Sequence, residues 1–574
     1  TCQPVTLEIA GSNPVGSARI PVKPACRARK IGADKLAANR GLIAAGIVVA
    51  LVAVIGVAAL LNKPAAPPAA TATSAAVLPT PPVETPAPPA SLGPTQTPAP
   101  TNAQPTASPP QTPTPPPPSA VDMPFVPVVG FWSTRASISM EELRAAANGS
   151  SERFTRLVVP AEDAETLRGL LGGTQIESGT IDEIESAIKD GALGILRATD
   201  VTQRVRALEI DGASLFGNDR IADPNDWPLT AAVSSAEAWD QSAIWTLVAA
   251  GDVMMDRGVA VAIKNHGEGG DYLFDGGTAR VTRIRCCSYF GYDYPLTERT
   301  GNRGLVRDLL SGADVTMANL ESAVLVNAPF HARGFTFTAD ASLLDAVDRA
   351  GFDFLSLANN HVRNASARGI LTAAKELDAR GISHSGAGLN GEAAQPGYLD
   401  VNGVRVAILS CDAIRPTWVA GPDKVGTFNC KNSDVAGRIR ELRPEADFII
   451  VFPHWGKEYK PTPVEYQRRL AEEWVAAGAD MVIGAHSHIA GAMDDIDGHV
   501  VFYSLGNLIF DQDFRQSTMM GVIPEMTFAG IELIQIELHA TLIIDSQPNL
   551  VSADDGGRFV FDQMRNGSEG LLPY

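Results

Sequence analysis

The fold of this chain is indicated most clearly by two stretches, ADFIIVFPHWG at residues 446–456 and ADMVIGAHSHI at residues 479–489. In each of them a short apolar run ends in histidine, and apolar runs of roughly four to eight residues predict buried strands. The helical sequence VEYQRRLAEEWVAAG at residues 464–478 lies between them. A strand, a helix and a second strand in this order predict an α/β fold with mainly parallel sheet.

The same pattern recurs through the C-terminal half of the chain. Further apolar runs that end in polar residues are WTLVAAGD (245–252), ADVTMANLE (313–321), FDFLSLANNH (352–361) and VVFYSLGN (500–507). The segment IELIQIELHATLIIDS at residues 531–546 is predicted to supply closing strands. We therefore predict one α/β domain over residues 244–550. Ligands of such folds bind at the carboxyl ends of the strands, where the polar residues of this chain stand.

Six of these polar residues are candidate metal ligands. They are Asp252, Glu321, Asn360, His454, His486 and His488. Carboxylate, amide and imidazole groups together suit Mn, Fe or Zn better than a metal that seeks thiolates. Six ligands exceed the four of a structural zinc site. They are enough for two divalent metal ions, about 3.5–4 Å apart, that share a bridging carboxylate.

Each ligand taken alone has a simpler explanation. A single core histidine is usually a hydrogen-bonded structural residue, Asp252 could be a turn residue, and Asn360 could belong to a helix N-cap. Their joint occurrence at strand ends favours a metal centre. His486 and His488 are two positions apart, so on a strand they would point to the same side.

Two further residues are candidates for catalysis. His361 follows Asn360 directly, so its imidazole could face a substrate held at the metals and act as a general acid. Arg257 could orient an anionic group through two parallel hydrogen bonds. The alternative for Arg257 is a surface salt bridge.

Six motifs in this order and spacing resemble those of the CapA family, the poly-γ-glutamate capsule synthesis proteins. They are GDVMMDR, NLES, LANNHVRNASARGI, HWGKEY, GAHSHI and YSLGNLIFDQ, within residues 245–515. That family is similar to calcineurin-like metallophosphoesterases. The resemblance implies a four-layer αββα sandwich around a dinuclear centre, and it assigns the same roles to the six ligands and to His361.

The chain departs from the family pattern at two positions. Asn364 stands where the family often has Asp, and Ser487 stands where it often has Pro. Neither change removes a ligand. The first removes a carboxylate that could orient His361.

The N-terminal part predicts a membrane tether. Residues 42–61, LIAAGIVVALVAVIGVAALL, match the roughly 20 apolar residues of a transmembrane helix. Basic residues are concentrated in segment 1–41, which predicts a cytoplasmic N-terminus and extracytoplasmic C-terminal domains. A cleaved signal peptide would have a shorter apolar core. The Pro-, Thr- and Ala-rich residues 62–120 predict a disordered stalk.

Residues 121–230 predict a smaller accessory α/β domain. The stretch GALGILRATDVTQRVRALEIDG at residues 191–212 resembles a lobe of a periplasmic substrate-binding protein. We find no catalytic triad, ligand cluster or phosphate-binding loop in this part of the sequence. An accessory spacer is the alternative interpretation.

Charge and cysteine content limit the function further. A formal net charge of −19 argues against nucleic acid as a partner. Cys411 and Cys430 could form a disulfide if the domain is extracytoplasmic, or could remain two partly buried thiols. The adjacent Cys286 and Cys287 suit neither a zinc site nor an easy mutual bridge.

Three functions agree with these observations. The first is a membrane-anchored, metal-dependent hydrolase or transferase that acts on a phosphoester or on poly-γ-glutamate. The second is a non-catalytic capsule-assembly subunit that holds polyglutamate carboxylates beside membrane synthetase partners. The third is a binding module built on residues 121–230. The complete ligand set favours the enzyme, and the family resemblance favours capsule synthesis or export.

Overall fold

A computed structural model of the protein describes residues 119–574. The predicted cytoplasmic segment 1–41, the predicted transmembrane helix 42–61 and the predicted stalk up to residue 118 lie outside the described residues. Within residues 119–574, no helix combines the length and the apolar character that crossing a bilayer requires.

Residues 119–243 form an α/β region around their own sheet. Its strands are β1 Ser119–Gly130, β2 Ser137–Ile138, β3 Leu157–Pro160, β4 Ile176–Gly179, β5 Leu193–Arg197, β6 Val205–Ala207, β7 Glu209–Ile210 and β8 Thr230–Ser235. Its helices are α1 Met140–Ala147, α2 Ala164–Leu171 and α3 Ile181–Lys189. The sheet order is β4-β3-β5-β1-β6, and β8 pairs with β1. Helix α3 begins with a capping box between Thr180 and Glu183, as a Ser or Thr cap predicts.

The boundaries of this region differ from the predicted ones. Strand β1 begins at Ser119, inside the predicted stalk, because Ser119 and Ala120 pair with Ser235 and Ser234 of β8. The same pairing extends the region beyond residue 230. A composition-based boundary misses such residues because the pairing partner is distant in sequence.

Residues 244–574 contain the remaining strands and helices. The strands are β9 Ile244–Val253, β10 Thr278–Arg285, β11 Tyr294–Gly301, β12 Val315–Leu320, β13 Ala323–Leu325, β14 Thr338–Asp340, β15 Phe354–Ser356, β16 Ser383–Ser385, β17 Ala387–Gly388, β18 Gly397–Val401, β19 Val404–Asp412, β20 Gly426–Thr427, β21 Phe448–His454, β22 Met481–Ile483, β23 Met493–Ile496, β24 His499–Phe502, β25 Asn507–Ile509, β26 Met520–Ala529, β27 Glu532–Ile544 and β28 Gln547–Leu550. The helices are α4 Arg257–His266, α5 Leu305–Ser311, α6 Leu344–Arg349, α7 Ser366–Asp378, α8 Asn390–Ala393, α9 Val435–Leu442, α10 Glu465–Ala477, α11 Gln516–Met519 and α12 Arg558–Gly567.

Two large sheets organise this part, and the predicted α/β class is confirmed. The first has the order β11-β10-β28-β27-β26-β9-β12-β15-β16, with β25 paired to β9. The second has the order β18-β19-β21-β22-β24-β23. The strands that carry the candidate ligands are parallel within each sheet. The closing strands β26, β27 and β28 are antiparallel.

The two sheets pack face to face, and helices cover their outer faces. Along β9, Trp245, Leu247 and Ala249 face the core shared with the second sheet. Val248 and Ala250 face helices α4 to α7. This alternation is the period of two that a strand imposes on its side chains.

The second sheet repeats the arrangement. Ile450 and Phe452 of β21 face the shared core. Ile449 and Val451 face helices α9 and α10. Because both faces of the strand are buried, its sequence is a continuous apolar run rather than an alternating one.

The region of residues 119–243 packs directly on strands β26 and β27, which belong to residues 244–574. The backbone amide of Gly217 donates to Thr527 Oγ1 over 3.0 Å. Arg206 forms an ion pair with Glu537, with 2.6 Å between Nη2 and Oε1. These polar contacts connect residues 119–243 to the antiparallel strands β26 and β27 of the ten-stranded sheet.

Both cysteine pairs are bonded. Cys411 and Cys430 form a disulfide with a Cα–Cα distance of 5.0 Å, buried among the residues that pack against α9 and α10. Cys286 and Cys287 also form a disulfide, so the expectation that adjacent cysteines would not bridge is wrong for this structure. The second disulfide lies in the turn between β10 and β11.

Candidate metal centre

The predicted ligands come from the carboxyl ends of neighbouring parallel strands. Asp252 is the penultimate residue of β9, Glu321 follows β12 directly, and His454 ends β21. Asn360 lies in the loop after β15, and His486 and His488 lie in the loop after β22. Because both sheets end at this edge, all six predicted ligands lie in one buried cluster.

The close approach of β9 and β25 depends on glycine at residue 251. A Cβ atom added there would lie 1.9 Å from the carbonyl oxygen of Gly506. The backbone amide of Asp252 donates to that same oxygen over 2.9 Å. The GD pair therefore sets Asp252 at the strand end while glycine allows the neighbouring backbone to come close.

The ligand atoms form two overlapping groups. Asp252, Glu321 and His454 can bring one ligand atom each within 4.8 Å of one another, and so can Glu321, His486 and His488. Glu321 belongs to both groups, which is the position of a bridging carboxylate. Asn360 joins the first group, because its Oδ1 lies 2.7 Å from His454 Nε2.

Three buried carboxylate oxygens in this cluster have no hydrogen-bond partner among the described residues. They are both Oε1 and Oε2 of Glu321, and Oδ2 of Asp252, which lies 3.2 Å from His488 Nδ1 but outside hydrogen-bond geometry because that nitrogen donates to Asn507. Both side chains are fully buried. Burying carboxylates without partners is costly, and bound cations supply the missing partners. The residues present therefore fit divalent metal ions.

Without a bound cation, burial holds Glu321, His454 and His486 in their neutral forms, so the imidazoles can coordinate directly and Glu321 would release a proton on binding. Burial and the charge of Asp252 raise the pKa of Glu321 well above its ordinary value. Burial and the neighbouring histidines hold the pKa values of His454 and His486 well below the ordinary value. Neutral imidazole is the form that coordinates a metal.

His486 and His488 reach the centre through backbone conformation, not through strand alternation. Their φ angles are +97° and +59°, both in the left-handed region that non-glycine residues rarely adopt. Strain of this kind costs about 1–3 kcal/mol per residue and is concentrated at functional sites. Ser487, which replaces the proline of the family pattern, donates from Oγ to the carbonyl of Ile489 over 2.8 Å.

Asn507 orients His488 and is a residue that the sequence analysis did not single out. Its Nδ2 donates to the backbone carbonyl of Thr518, so its Oδ1 must be the acceptor that lies 2.9 Å from His488 Nδ1. His488 therefore carries its proton on Nδ1, which leaves Nε2 available for a metal. Nε2 lies 3.8 Å from Glu321 Oε1.

Two other asparagines support the first group of ligands. Asn319 donates from Nδ2 to Asp252 Oδ1 over 2.8 Å. Asn359 donates to Asn319 Oδ1 and to the carbonyl of Leu320, and its own Oδ1 accepts from the amide of His361. The signal was present in the sequence, since each of these asparagines lies within a quoted motif beside a predicted ligand.

His361 is held in one tautomer by Asn364. The backbone amide of Phe337 donates to Asn364 Oδ1 over 2.8 Å, which identifies that atom as an acceptor. His361 Nδ1 lies 2.9 Å from the same oxygen and must be its second donor. Nε2 then faces the centre, 3.7 Å from Glu321 Oε1. The amide thus performs the orienting role that the absent carboxylate was expected to perform.

His361 is not in its charged, protonated form in the free protein, as a general acid would have to be before it donates a proton. Burial lowers its pKa to about 3, although the hydrogen bond with Asn364 opposes the shift. His361 is therefore neutral at pH 7 before a ligand binds. Its ring stacks on Phe337 at 4.0 Å between centroids.

Arg257 is buried, so the alternative of a surface salt bridge is wrong. One terminal nitrogen pairs with Asp511, and the other donates to the carbonyl of Gly334 over 2.9 Å. Its guanidinium lies 4.5 Å from the ring centroid of Phe337, the ring that also contacts His361. With both terminal nitrogens engaged, this geometry favours a positioning role over the predicted bidentate contact with substrate. Asp511 was not predicted, although it lies in the YSLGNLIFDQ motif.

Comparison with known proteins agrees with this geometry. Residues 246–512 match the family described as bacterial capsule synthesis protein PGA_cap. The capsule biosynthesis protein CapA of Bacillus anthracis is 29% identical over 282 residues, which cover 47% of this chain and 61% of that protein. The PGA biosynthesis protein CapA of Bacillus subtilis is 31% identical over 195 residues, which cover 33% and 51%.

The chain therefore spans between about half and two thirds of these curated relatives. Among solved structures, the NAD nucleotidase of Haemophilus influenzae matches 56% of this chain and 56% of its own, with a TM-score of 0.30 and 12% identity. The family match spans all six predicted ligands and His361, so residues 246–512 of this chain carry a domain of the kind described as bacterial capsule synthesis protein PGA_cap and are similar to CapA proteins.

Proposed function

We propose that this protein uses a dinuclear metal centre of the metallophosphoesterase type in poly-γ-glutamate capsule synthesis or export. The observation that carries the proposal is the set of three unpartnered, buried carboxylate oxygens of Asp252 and Glu321 beside the histidine cluster. The oxygen- and imidazole-rich donor set suits Mn, Fe or Zn. The packing of two sheets between helices agrees with the αββα sandwich that such centres occupy.

The roles of the residues follow from their positions. Asp252, Asn360 and His454 would hold one cation, His486 and His488 the other, and Glu321 would bridge them. Two bound divalent ions polarise a phosphoryl or acyl oxygen and lower the pKa of water. His361 presents Nε2 to the ligand, and a bound anion would favour its protonated form. Protonated His361 could then donate from Nε2 to a leaving group.

We also propose that the described domains lie outside the cell membrane, with a single transmembrane helix at residues 42–61 as tether. The basic residues before that segment support this orientation. The buried Cys411–Cys430 disulfide supports an oxidising compartment. Partners would be poly-γ-glutamate or a phosphoester substrate, together with membrane synthetase proteins.

A non-catalytic role is the second candidate. In the free centre His361 is neutral and is oriented by an uncharged amide, so nothing in its surroundings keeps a proton ready on Nε2. A subunit that holds polymer carboxylates at its metals would have no need for that proton. The neutral state of His361 therefore agrees with a capsule-assembly subunit, and absence of turnover would support that role.

Metal analysis and turnover distinguish these functions. The full chain is purified, its bound metal is measured by mass spectrometry, and hydrolysis of a phosphodiester and of poly-γ-glutamate is assayed with and without Mn²⁺. The enzyme proposal predicts about two metal ions per chain and turnover that His486→Ala abolishes. Metal binding without turnover would support the assembly role, and absence of metal binding would refute both forms of the proposal.

A further inference from the structure

We propose that Arg415 and Arg515 are anion-recognition residues beside the candidate metal centre, and that the ligand carries carboxylates or phosphates in addition to the group held at the centre. This inference rests on the proposed function and adds the residues that select a polyanion. In an acidic chain, neither arginine forms an ion pair with a residue of the described range 119–574. Their donors are therefore available to a bound anion.

The ring of Tyr459 lies between Arg515 and the candidate ligand His488. Its Cζ atom is 5.0 Å from the ring centroid of Tyr292 and 5.4 Å from that of Tyr459. The ring of Tyr459 is 6.2 Å from that of His488. The arginine is half-buried, and burial lowers its pKa, as expected for a cation with no carboxylate beside it.

The two elements that carry Arg515 and Tyr459 are both attached to the metal centre. The amide of Tyr459 donates to the carbonyl of Ser487, between His486 and His488, over 2.8 Å. Asn507, which orients His488, donates to the carbonyl of Thr518 three residues after Arg515. Asn507 thus connects His488 to the segment that carries Arg515.

Arg415 approaches the centre from a different loop. Asp412 at the end of β19 lies in register with His454, and the amide of Ala413 donates to the carbonyl of His454 over 2.9 Å. Arg415 follows on the exposed side, with Cζ 5.7 Å from the ring centroid of Trp418.

The two arginines lie in different loops beside the centre, Arg415 in the loop bonded to the His454 backbone and Arg515 next to Tyr459, so a short anion and a long one would meet different surfaces. Arginine presents a planar fork of donors that matches carboxylate and phosphate, and contact with aromatic rings limits its movement. A small monoanion would occupy the centre alone. A polymer with repeated anionic groups would contact the centre, Arg415 in the loop bonded to the His454 backbone, and Arg515 near Tyr459.

Binding measurements on matched ligands test the inference. Isothermal titration calorimetry on the full chain loaded with Mn²⁺ uses a γ-linked glutamate oligomer with free α-carboxylates, the same oligomer with α-carboxamides, and linear polyphosphate. The variants are Arg415→Gln, Arg515→Gln and Arg515→Lys. Arg469→Gln, on the exposed face of α10, is the matched control. Metal content and Tm are measured for every variant to exclude misfolding.

We expect Arg415→Gln and Arg515→Gln each to weaken binding of the free-carboxylate oligomer about tenfold or more, the usual effect of losing a charge-assisted hydrogen bond. Arg515→Lys should recover part of the loss, and Arg469→Gln should have no effect. The carboxamide oligomer should bind all variants alike.

The outcomes separate this inference from the proposed function. If polyphosphate binds with the same dependence on both arginines while the glutamate oligomer does not bind, the inference stands and the polyglutamate part of the proposed function fails. If arginine-dependent binding is the same without Mn²⁺, the inference stands and the metal-centre part fails. Wild-type protein that binds neither polyanion, or binds one equally well in both glutamine variants, overturns the inference.

Discussion

The unpartnered oxygens of Glu321 lead to a prediction in which one substitution has opposite effects with and without metal. Glu321 is fully buried, both its oxygens lack hydrogen-bond partners, and it lies beside the equally buried Asp252. Because burial and Asp252 raise the pKa of Glu321, the metal-free protein must take up a proton there on folding at neutral pH; glutamine is neutral without that cost and offers an amide donor to Oδ2 of Asp252. We therefore expect Glu321→Gln to stabilise the metal-free protein.

The magnitude follows from the cost of a buried group without a partner, about 1–3 kcal/mol. For a protein of this size, with an unfolding entropy of about 2 cal/mol/K per residue, that free energy corresponds to a rise in Tm of about 1–3 °C. With metal bound, we expect wild type to be more stable than Glu321→Gln. A ligand present at a hundredfold excess over its Kd stabilises the folded state by about 2.7 kcal/mol, and the variant that lacks the bridging carboxylate should lose most of this gain.

The assay is thermal unfolding of both proteins in EDTA and in a Mn²⁺ titration. Asp163→Asn is the matched control, because Asp163 is equally buried but its carboxylate is paired with Arg197 at 2.7 Å. That variant should be less stable than wild type under both conditions. If Glu321→Gln is less stable than wild type in EDTA, or if Mn²⁺ raises both Tm values equally, the argument for a bridging carboxylate is refuted.

Three further predictions concern other parts of the molecule. His361→Ala should lower kcat by about 10²–10⁴-fold without changing metal content, as expected for loss of a general acid, and an unchanged kcat would favour the assembly role. Replacing Cys411 and Cys430 by serine should destabilise the fold by about 2–4 kcal/mol in denaturant unfolding, and a reductant should then destabilise wild type but not the variant. The pair Glu525–His539, 2.8 Å apart, should stabilise the fold most between about pH 4.5 and pH 6.5, the ordinary pKa values of the two groups. Burial acts against both charges, but the hydrogen bond prevails, so the pKa of His539 is raised and that of Glu525 is lowered. The stabilisation from His539 is lost as the pH rises through its raised pKa, and that from Glu525 is lost as the pH falls through its lowered pKa. Tm profiles of wild type and Glu525→Gln between pH 3 and pH 9 should therefore converge at both ends, and a constant difference would contradict the assignment.

The sequence alone predicted the α/β class and the strand ends that carry the ligands. Both follow from local rules, because a doubly buried strand must be a continuous apolar run and parallel strands direct their carboxyl ends to one edge. Asp252 and His454 could be selected for this reason without knowledge of how their two sheets pack. The family motifs then assigned the same roles to residues such as Asn360 and His361.

Other features depend on contacts between residues distant in sequence. Whether Arg257 is a surface residue or a buried one depends on Asp511 and Gly334, which are brought to it only by packing. The left-handed backbone at His486 and His488 replaced the strand geometry inferred from their spacing. The orientation of His361 by Asn364 became clear only when Phe337 identified the acceptor atom.

The strands and the ligand types at their ends can be predicted from the sequence, since apolar periodicity and side-chain chemistry are local properties. Which atoms face one another depends on how the strands and loops pack. The unpartnered oxygens of Asp252 and Glu321, and the contact of Arg515 with Tyr459, exist because separate strands and loops converge at one edge of two packed sheets. Burial turns that convergence into function, because a charge removed from water must find a partner, and here the partner that fits is a metal ion.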